Sequence, residues 1–401
     1  MDFFVLKKPA YGTSSIYLSG SPLGLRIGSL DSLADDQPLH EKSNTSAVYS
    51  QGYIMIQRGT TLVARPFEMK SMSFTGEAVS VAEQIQAANS TPGRFSVSTN
   101  GVLVYDESDR RNLRLTWLDR AGQRLGTVGD AGDFDSLEFS PDRRTLAVAM
   151  GAAAGGDIWL QDISRGLRTR FTFDPADDWA PVWSPDGRNI IFSSNRNGIG
   201  DLYRKPADAS RNEELLYADS LGKIPSSFSP SGKFLAYSAV GDPKTKIDIW
   251  ILPDPMGPPG VSKPYQFLHS EFNETDARFS PDGRWISFVL DESGKDEVYV
   301  VPFPGPGGKQ QVSTSGGAGA RWRPYGKELF YREGTRLMAA EVDTKGSAFD
   351  VKRVTPMFGP VNSSYDVSGG CQRFLVLLTQ EGETPETILT VVQNWTAGLK
   401  K

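Results

Sequence analysis

Short apolar runs rich in Val, Ile, Leu, Phe, Tyr and Trp alternate with clusters of Gly, Pro, Asp, Ser and Asn along nearly the whole chain. The clearest instance is Phe279-Ser280-Pro281-Asp282-Gly283-Arg284-Trp285-Ile286-Ser287-Phe288-Val289, followed after a polar gap by Glu297-Val298-Tyr299-Val300-Val301-Pro302. Ser-Pro-Asp-Gly suits a type I turn: proline presets the first central φ, serine and aspartate bond local backbone, and glycine accepts the left-handed position that closes the loop. The stretch therefore predicts strand, tight turn, strand, polar loop, strand.

The same unit recurs. Ser140-Pro141-Asp142-Arg143, Ser184-Pro185-Asp186-Gly187 and Ser229-Pro230-Ser231-Gly232 each lead into an apolar run, and weaker copies stand at Arg323-Pro324-Tyr325-Gly326 and Ser368-Gly369-Gly370-Cys371. The turn positions 141, 185, 230, 281, 324 and about 368 are spaced by 44, 45, 51, 43 and 44 residues. A fixed period of this length means a repeat architecture, and four strands of about six residues with their turns use it up. No repeat holds a helical pattern of ten or more residues, which excludes helical solenoids. The predicted fold is all-β, a β-propeller of four-stranded antiparallel blades. Eight blades are expected, with seven or six plus partial blades as alternatives. The expected organisation is one propeller over 1–401, in which 1–40 form a partial first blade that closes the ring with 361–396, and the strongest repeats lie at 134–345.

Composition narrows the function. A net charge of −5 and a pI near 5.4 offer no field for nucleic acid. The lone Cys371 cannot form an internal disulfide and reads as a structural thiol. The amino terminus as written carries no export signal, and no apolar run is long enough to span a bilayer, so the chain is expected to be soluble without membrane insertion.

The strings Phe-Ser-Pro-Asp-Gly-Arg and Phe192-Ser193-Ser194-Asn195-Arg196-Asn197-Gly198 before Asp201-Leu202-Tyr203 resemble the WD-like propeller repeat of TolB and of prolyl oligopeptidases. Asp157-Ile158-Trp159-Leu160, Arg170-Phe171-Thr172-Phe173-Asp174-Pro175 and Val301-Pro302-Phe303-Pro304-Gly305-Pro306-Gly307-Gly308-Lys309 are similar to the propeller region following the kinase and membrane segments of many bacterial serine/threonine kinases. That resemblance implies a ligand-sensing or protein-interaction domain, outside the cytoplasmic membrane if the chain continues such a kinase. The TolB resemblance implies a role in envelope assembly. Arg143 and Cys371 stand where the repeat expects the turn glycine, so their two turns are expected to differ in shape.

Candidate chemistry is sparse. Only His40 and His269 are present, no Gly-x-Ser-x-Gly elbow occurs, and kinase, P-loop and zinc motifs are missing. No catalytic residue, metal ligand or cofactor is assigned, and a non-catalytic scaffold is expected, with a propeller hydrolase using loop carboxylates as the alternative. Asp142, Asp186, Gly187, Gly232, Asp282, Gly283 and Gly326 read as structural turn residues, since most copies share them. What varies among copies is the start of each inner strand. There Asp133, Asp177, Asp178, Lys223, Asn273 and Glu274 are the expected rim for a protein or peptide partner, or for a small ligand.

Overall fold

The computed structural model describes residues 4–6, 16–21, 24–29, 32–39, 47–58, 61–83, 85, 95–106, 112–151, 156–242, 244–305, 307–344, 348–361, 364–379 and 389–399. Among them the regular elements are β-strands, apart from a short 3-10 turn at Trp395–Leu399. The chain divides into two compact units: Met1–Arg111 with Ala152–Gly155 and Glu381–Lys401, and Asn112–Gly151 with Gly156–Gln380.

The second unit is a β-propeller. Blade 2 is Asp178–Trp183, Asn189–Ser194, Asp201–Pro206 and Glu214–Tyr217; blade 3 is Gly222–Phe228, Phe234–Asp242, Lys246–Pro253 and Tyr265–Leu268. Blade 4 is Glu274–Phe279, Trp285–Leu290, Glu297–Pro302 and Gln310–Gln311, and blade 5 is Ala318–Trp322, Glu328–Glu333, Arg336–Asp343 and Asp350–Pro356. Blade 1 begins with the second half of the long strand Arg124–Phe139 and continues through Thr145–Met150, Asp157–Asp162 and Arg168–Arg170. Blade 6 joins distant segments: Tyr365–Val367 and Arg373–Thr379 pair onto Asn112–Asp119, which pairs in turn with the first half of Arg124–Phe139. The first strands touch in the cycle 1-2-3-4-5-6-1, so among the described residues this unit is a closed ring of six sheets. Closure leaves no long inner edge open to aggregation.

Burial differs between strands. Trp285–Leu290 is buried along its whole length, whereas the outer strand Asp350–Pro356 is mostly exposed. Apolar side chains pack between neighbouring sheets: Ala236, Ile249 and Ile251 of blade 3 meet Ala277, Phe279, Ile286 and Phe288 of blade 4. Each such large side chain contributes roughly 1.5–3 kcal/mol relative to exposure.

Among the described residues, the strands within 1–40 and 361–396 pair as follows. Phe4–Leu6, Ile16–Ser21, Gly24–Ser29 and Ser32–Pro38 form a sheet with one another. Arg373–Thr379 pairs with Asn112–Asp119, and Leu389–Gln393 with Val102–Asp106. The turn period counts hairpins but carries no information about which remote segment supplies outer strands. Burial of Leu113 and Leu115 with Leu375 and Leu377 in one cluster decides it. The first unit also holds Val48–Ser50, Tyr53–Arg58, Thr61–Glu68 and Ser73–Phe74, with Val79–Ala82 added to Thr61–Glu68. Its core includes Leu25, Ile27, Ile54 and Ile56 on one side and Met55, Leu62, Leu103 and Trp395 on another. His40 lies outside the described residues.

Candidate functional site

The turns adopt the predicted form. In 140–143, 184–187, 229–232 and 280–283 the fourth N–H donates to the first carbonyl at 2.8–2.9 Å. Ser280 Oγ donates to Asp282 Oδ1 (2.6 Å), while Asp282 Oδ1 accepts the Arg284 N–H and Ser280 Oγ the Trp285 N–H. Hydroxyl bonds from Ser140 and Ser184, then the N–H groups of Arg144 and Arg188, hold the Asp142 and Asp186 carboxyls below the usual range. Gly283 has φ +70°, and a Cβ there would sit 3.4 Å from Pro230 Cδ of the preceding blade; Gly187 and Gly232 stand likewise over Pro141 and Pro185. Gly326, also left-handed, closes its turn onto the Arg323 carbonyl at 2.8 Å.

Arg143 and Cys371 do not distort their turns. Both take left-handed φ (61° and 52°) and make the same closing bond as the glycines. Arg143 Nη1 donates to the Val367 carbonyl at 3.0 Å and lies 3.5 Å from Asp366, so its side chain ties blade 1 to blade 6. Cys371 is fully buried, and burial pushes its thiol up from the ordinary value.

The expected rim residues are wired into joints between strands and blades. Asp177 accepts from Gly156 N–H and Asn195 Nδ2, each at 2.9 Å, and Asn273 donates to Asp291 at 2.6 Å. Asp133 pairs with Asn112 in strand register, and its carbonyl accepts the Gly151 N–H. Asp178 is buried against Arg196 (3.1 Å); burial raises its carboxyl, with Ser194 and Arg196 opposing. Lys223 is buried, with its ammonium 2.8 Å from Asp219 and 3.2 Å from Asp201. Glu274 is buried and accepts from Ser270 Oγ at 2.5 Å.

A different set of residues gathers at the axis. Each of the inner strands of blades 1–5 carries a register shift a few residues before its turn, with left-handed φ at Ala180, Asp276 and Gly319. Three residues before the turn positions stand Glu138, Val182, Ser227, Arg278, Arg321 and Tyr365. Arg278 Nη1 meets Glu138 Oε2 at 3.0 Å. These residues belong to blades 1 and 4, which are opposite in a six-membered cycle, so their ion pair crosses the axis. Asp276 joins Arg278 at 3.2 Å and Arg321 at 3.9 Å, and Arg321 stands over the Tyr365 ring, 5.7 Å from its centroid. Burial pushes the Glu138 carboxyl up, opposed by Arg278 and reinforced by Asp366. Burial works against the Arg278 charge, but Glu138 and Asp276 outweigh it and hold the guanidinium above its ordinary value.

Not every axial group is satisfied. Arg321 Nε and Tyr365 Oη are buried without a hydrogen-bond partner among the described residues. A buried donor left unpaired costs about 1–3 kcal/mol, so these atoms are disposed to accept an outside polar group. The expected rim residues lie at the starts of the inner strands, apart from this axial set. The signal was charge at Glu138, Arg278 and Arg321, inside runs that otherwise read as strand.

Known proteins match this chain on both sequence and fold. The model of the TolB β-propeller domain family matches residues 52–252. An uncharacterised protein of Agrobacterium fabrum is 28% identical over 155 residues, 38% of this chain and 53% of its own length. The Tol-Pal system protein TolB of Alcanivorax borkumensis is 26% identical over 162 residues, 39% of this chain and 37% of its own. The chain thus spans about half, and little over a third, of these two relatives. A solved TolB-assigned protein from Agrobacterium tumefaciens superposes with a TM-score of 0.52 at 17% identity, covering 66% of this chain and 97% of that one. With half of its length matched by the family model, the chain belongs to the TolB β-propeller domain family.

Proposed function

We propose that this chain is a non-catalytic binding propeller whose six-blade unit receives a polar, acid-bearing segment of a protein partner at its axis. The observation that carries this reading is the buried pair Arg321 Nε and Tyr365 Oη, unpaired, with Arg321 joined through Asp276 to Arg278. Around it the Glu138–Arg278 bridge fixes the blades, so a partner would meet a pre-formed polar surface. The Tol-Pal name of one relative supports an envelope partner, and with it an extracytoplasmic location. Among the described residues no helix is long and apolar enough to cross a membrane. The likeness to kinase-linked propellers adds a sensory variant of the same reading, in which the binding event is reported to a kinase; an in-frame kinase gene upstream would support it.

The test is site-specific photocrosslinking in cells from Tyr325, a turn residue of blade 5 that is 89% exposed. One envelope protein is expected to be captured, and Arg321→Glu should abolish capture while the fold melts as before. Capture indifferent to Arg321→Glu and Tyr365→Phe would contradict the axial site. Turnover of a glycoside or peptide panel that vanishes in Glu138→Gln would replace binding with hydrolysis.

A further inference from the structure

The repeat supplies its own control at the joints where the third strand of one blade meets the inner strand of the next. The third strands of blades 1 to 4 carry Asp157, Asp201, Asp248 and Glu297 at or within two residues of their start, all buried. In three of these joints a basic side chain neutralises the acid. Arg170 meets Asp157 at 2.6 Å, with Arg196 on the facing Asp178; Lys223 meets Asp201 at 3.2 Å; Lys295 meets Glu297 at 3.3 Å.

The joint between blades 3 and 4 breaks this rule. Glu274 occupies the repeat position that Lys223 fills one blade earlier, on a strand that lies against the one carrying Asp248. Asp248 is 1% exposed and Glu274 4%, and among the described residues neither has a Lys or Arg at ion-pair distance. One oxygen of each is engaged: Asp248 Oδ2 accepts from Thr245 Oγ1 (2.6 Å) and Gln266 Nε2 (2.9 Å), and Glu274 Oε1 from Ser270 Oγ. The other oxygens, Asp248 Oδ1 and Glu274 Oε2, are buried with no partner. Burial and the nearby Asp248 charge both push the Glu274 carboxyl up, with Ser270 and the exposed His269 opposing.

Two buried carboxylates without a counter-charge are untenable unless something neutralises them. We propose that this joint is a cation site, in which a hard divalent ion, calcium by its tolerance of irregular oxygen ligands, bridges Asp248 Oδ1 and Glu274 Oε2. The ion occupies the role that the Lys223 ammonium plays in the preceding joint. Water and backbone oxygens would complete its shell.

The test uses the full chain, stripped with chelator and melted with calcium, magnesium or neither. Calcium at about a hundredfold over its dissociation constant should raise Tm by roughly 5 °C. Glu274→Gln should remove that response. Glu274→Lys recreates the Lys223–Asp201 pairing, so it should fold without calcium and likewise ignore it, which guards against a variant that merely misfolds. Terbium luminescence sensitised by the tryptophans should appear in the native chain and be lost in both variants. An equal calcium shift in Glu274→Lys would place the ion elsewhere and overturn the proposal. No calcium shift in the native chain, with stability that instead rises on acidification, would overturn it in favour of a protonated Glu274.

Discussion

The joints among blades 2, 3 and 4 and the joint between blades 6 and 1 solve one packing problem by different means. In the regular joints a turn glycine rests on the preceding proline, Gly232 over Pro185 and Gly283 over Pro230. In the closing joint Arg143 replaces the glycine and reaches to Val367 O and Asp366, while Asp366 Oδ2 accepts the Phe139 N–H at 3.0 Å. On the far side of blade 6, Arg120 pairs with Glu328 (2.8 Å) and donates to the Cys371 carbonyl. Neighbouring blades keep the glycine-on-proline contact and add ties deeper in the joint, Lys223 on Asp201 and the Phe279 N–H on Ser227 Oγ at 3.1 Å. Segments brought together from positions near 115 and 375 are fastened by charge and hydrogen bonds, so the irregular turns mark where the ring shuts.

The largest expected effect lies in the core of the closing blade. Phe374 is fully buried against Phe330 and Phe358, and Phe374→Ala should cost about 3–5 kcal/mol by denaturant unfolding. A cost below about 1 kcal/mol would mean that blade 6 is loosely attached. Next, Gly283→Val forces a β-branched residue into left-handed backbone and against Pro230, and should destabilise by about 1–3 kcal/mol. An unchanged melting temperature would refute the regular-joint account. The mirror substitution, Arg143→Gly, relieves backbone strain but cuts the tie to Val367 and Asp366. A net loss of about 0.5–2 kcal/mol is expected, and a stabilised protein would show that Arg143 fastens nothing.

The smallest effect is in pH. The folded Asp186 carboxyl lies below its ordinary value, so its contribution is present above about pH 4 and is lost as pH falls through the folded value. Asp186→Asn should therefore flatten the acid arm of the Tm profile slightly. The blade 3 turn carries Ser231 in place of the aspartate, 3.2 Å from Ser229, and Ser231→Ala should leave that arm unchanged. Equal responses would show that the turn aspartates are not the groups titrating.

Much of this was legible in the residues. The Ser-Pro-Asp-Gly turns, the three strands they punctuate and the propeller itself follow from local chemistry, because proline, glycine and short apolar runs act on their own neighbourhood. The partner of Asn112–Asp119 was not legible, since pairing between strands some 260 positions apart depends on the summed fit of side chains such as Leu115 and Leu377. The surroundings of the expected rim residues were illegible for a related reason. Asp178, Lys223 and Glu274 looked available because they are polar and unrepeated, yet the fold buries each in a joint. Glu138 and Arg278 looked like ordinary strand residues, and only closure of the ring brings them to 3.0 Å.

The pairing of Asp119 with Arg373, the terminal match between Asn112–Asp119 and Arg373–Thr379, gives the most direct test of the closed ring. Their Cα atoms should lie about 4.5–5.5 Å apart, within reach of a disulfide. In a Cys371→Ser background, Asp119→Cys with Arg373→Cys should oxidise fully under mild conditions, migrate faster on a non-reducing gel and melt at a higher temperature. Two free thiols in a protein that is nonetheless folded would contradict the six-sheet ring.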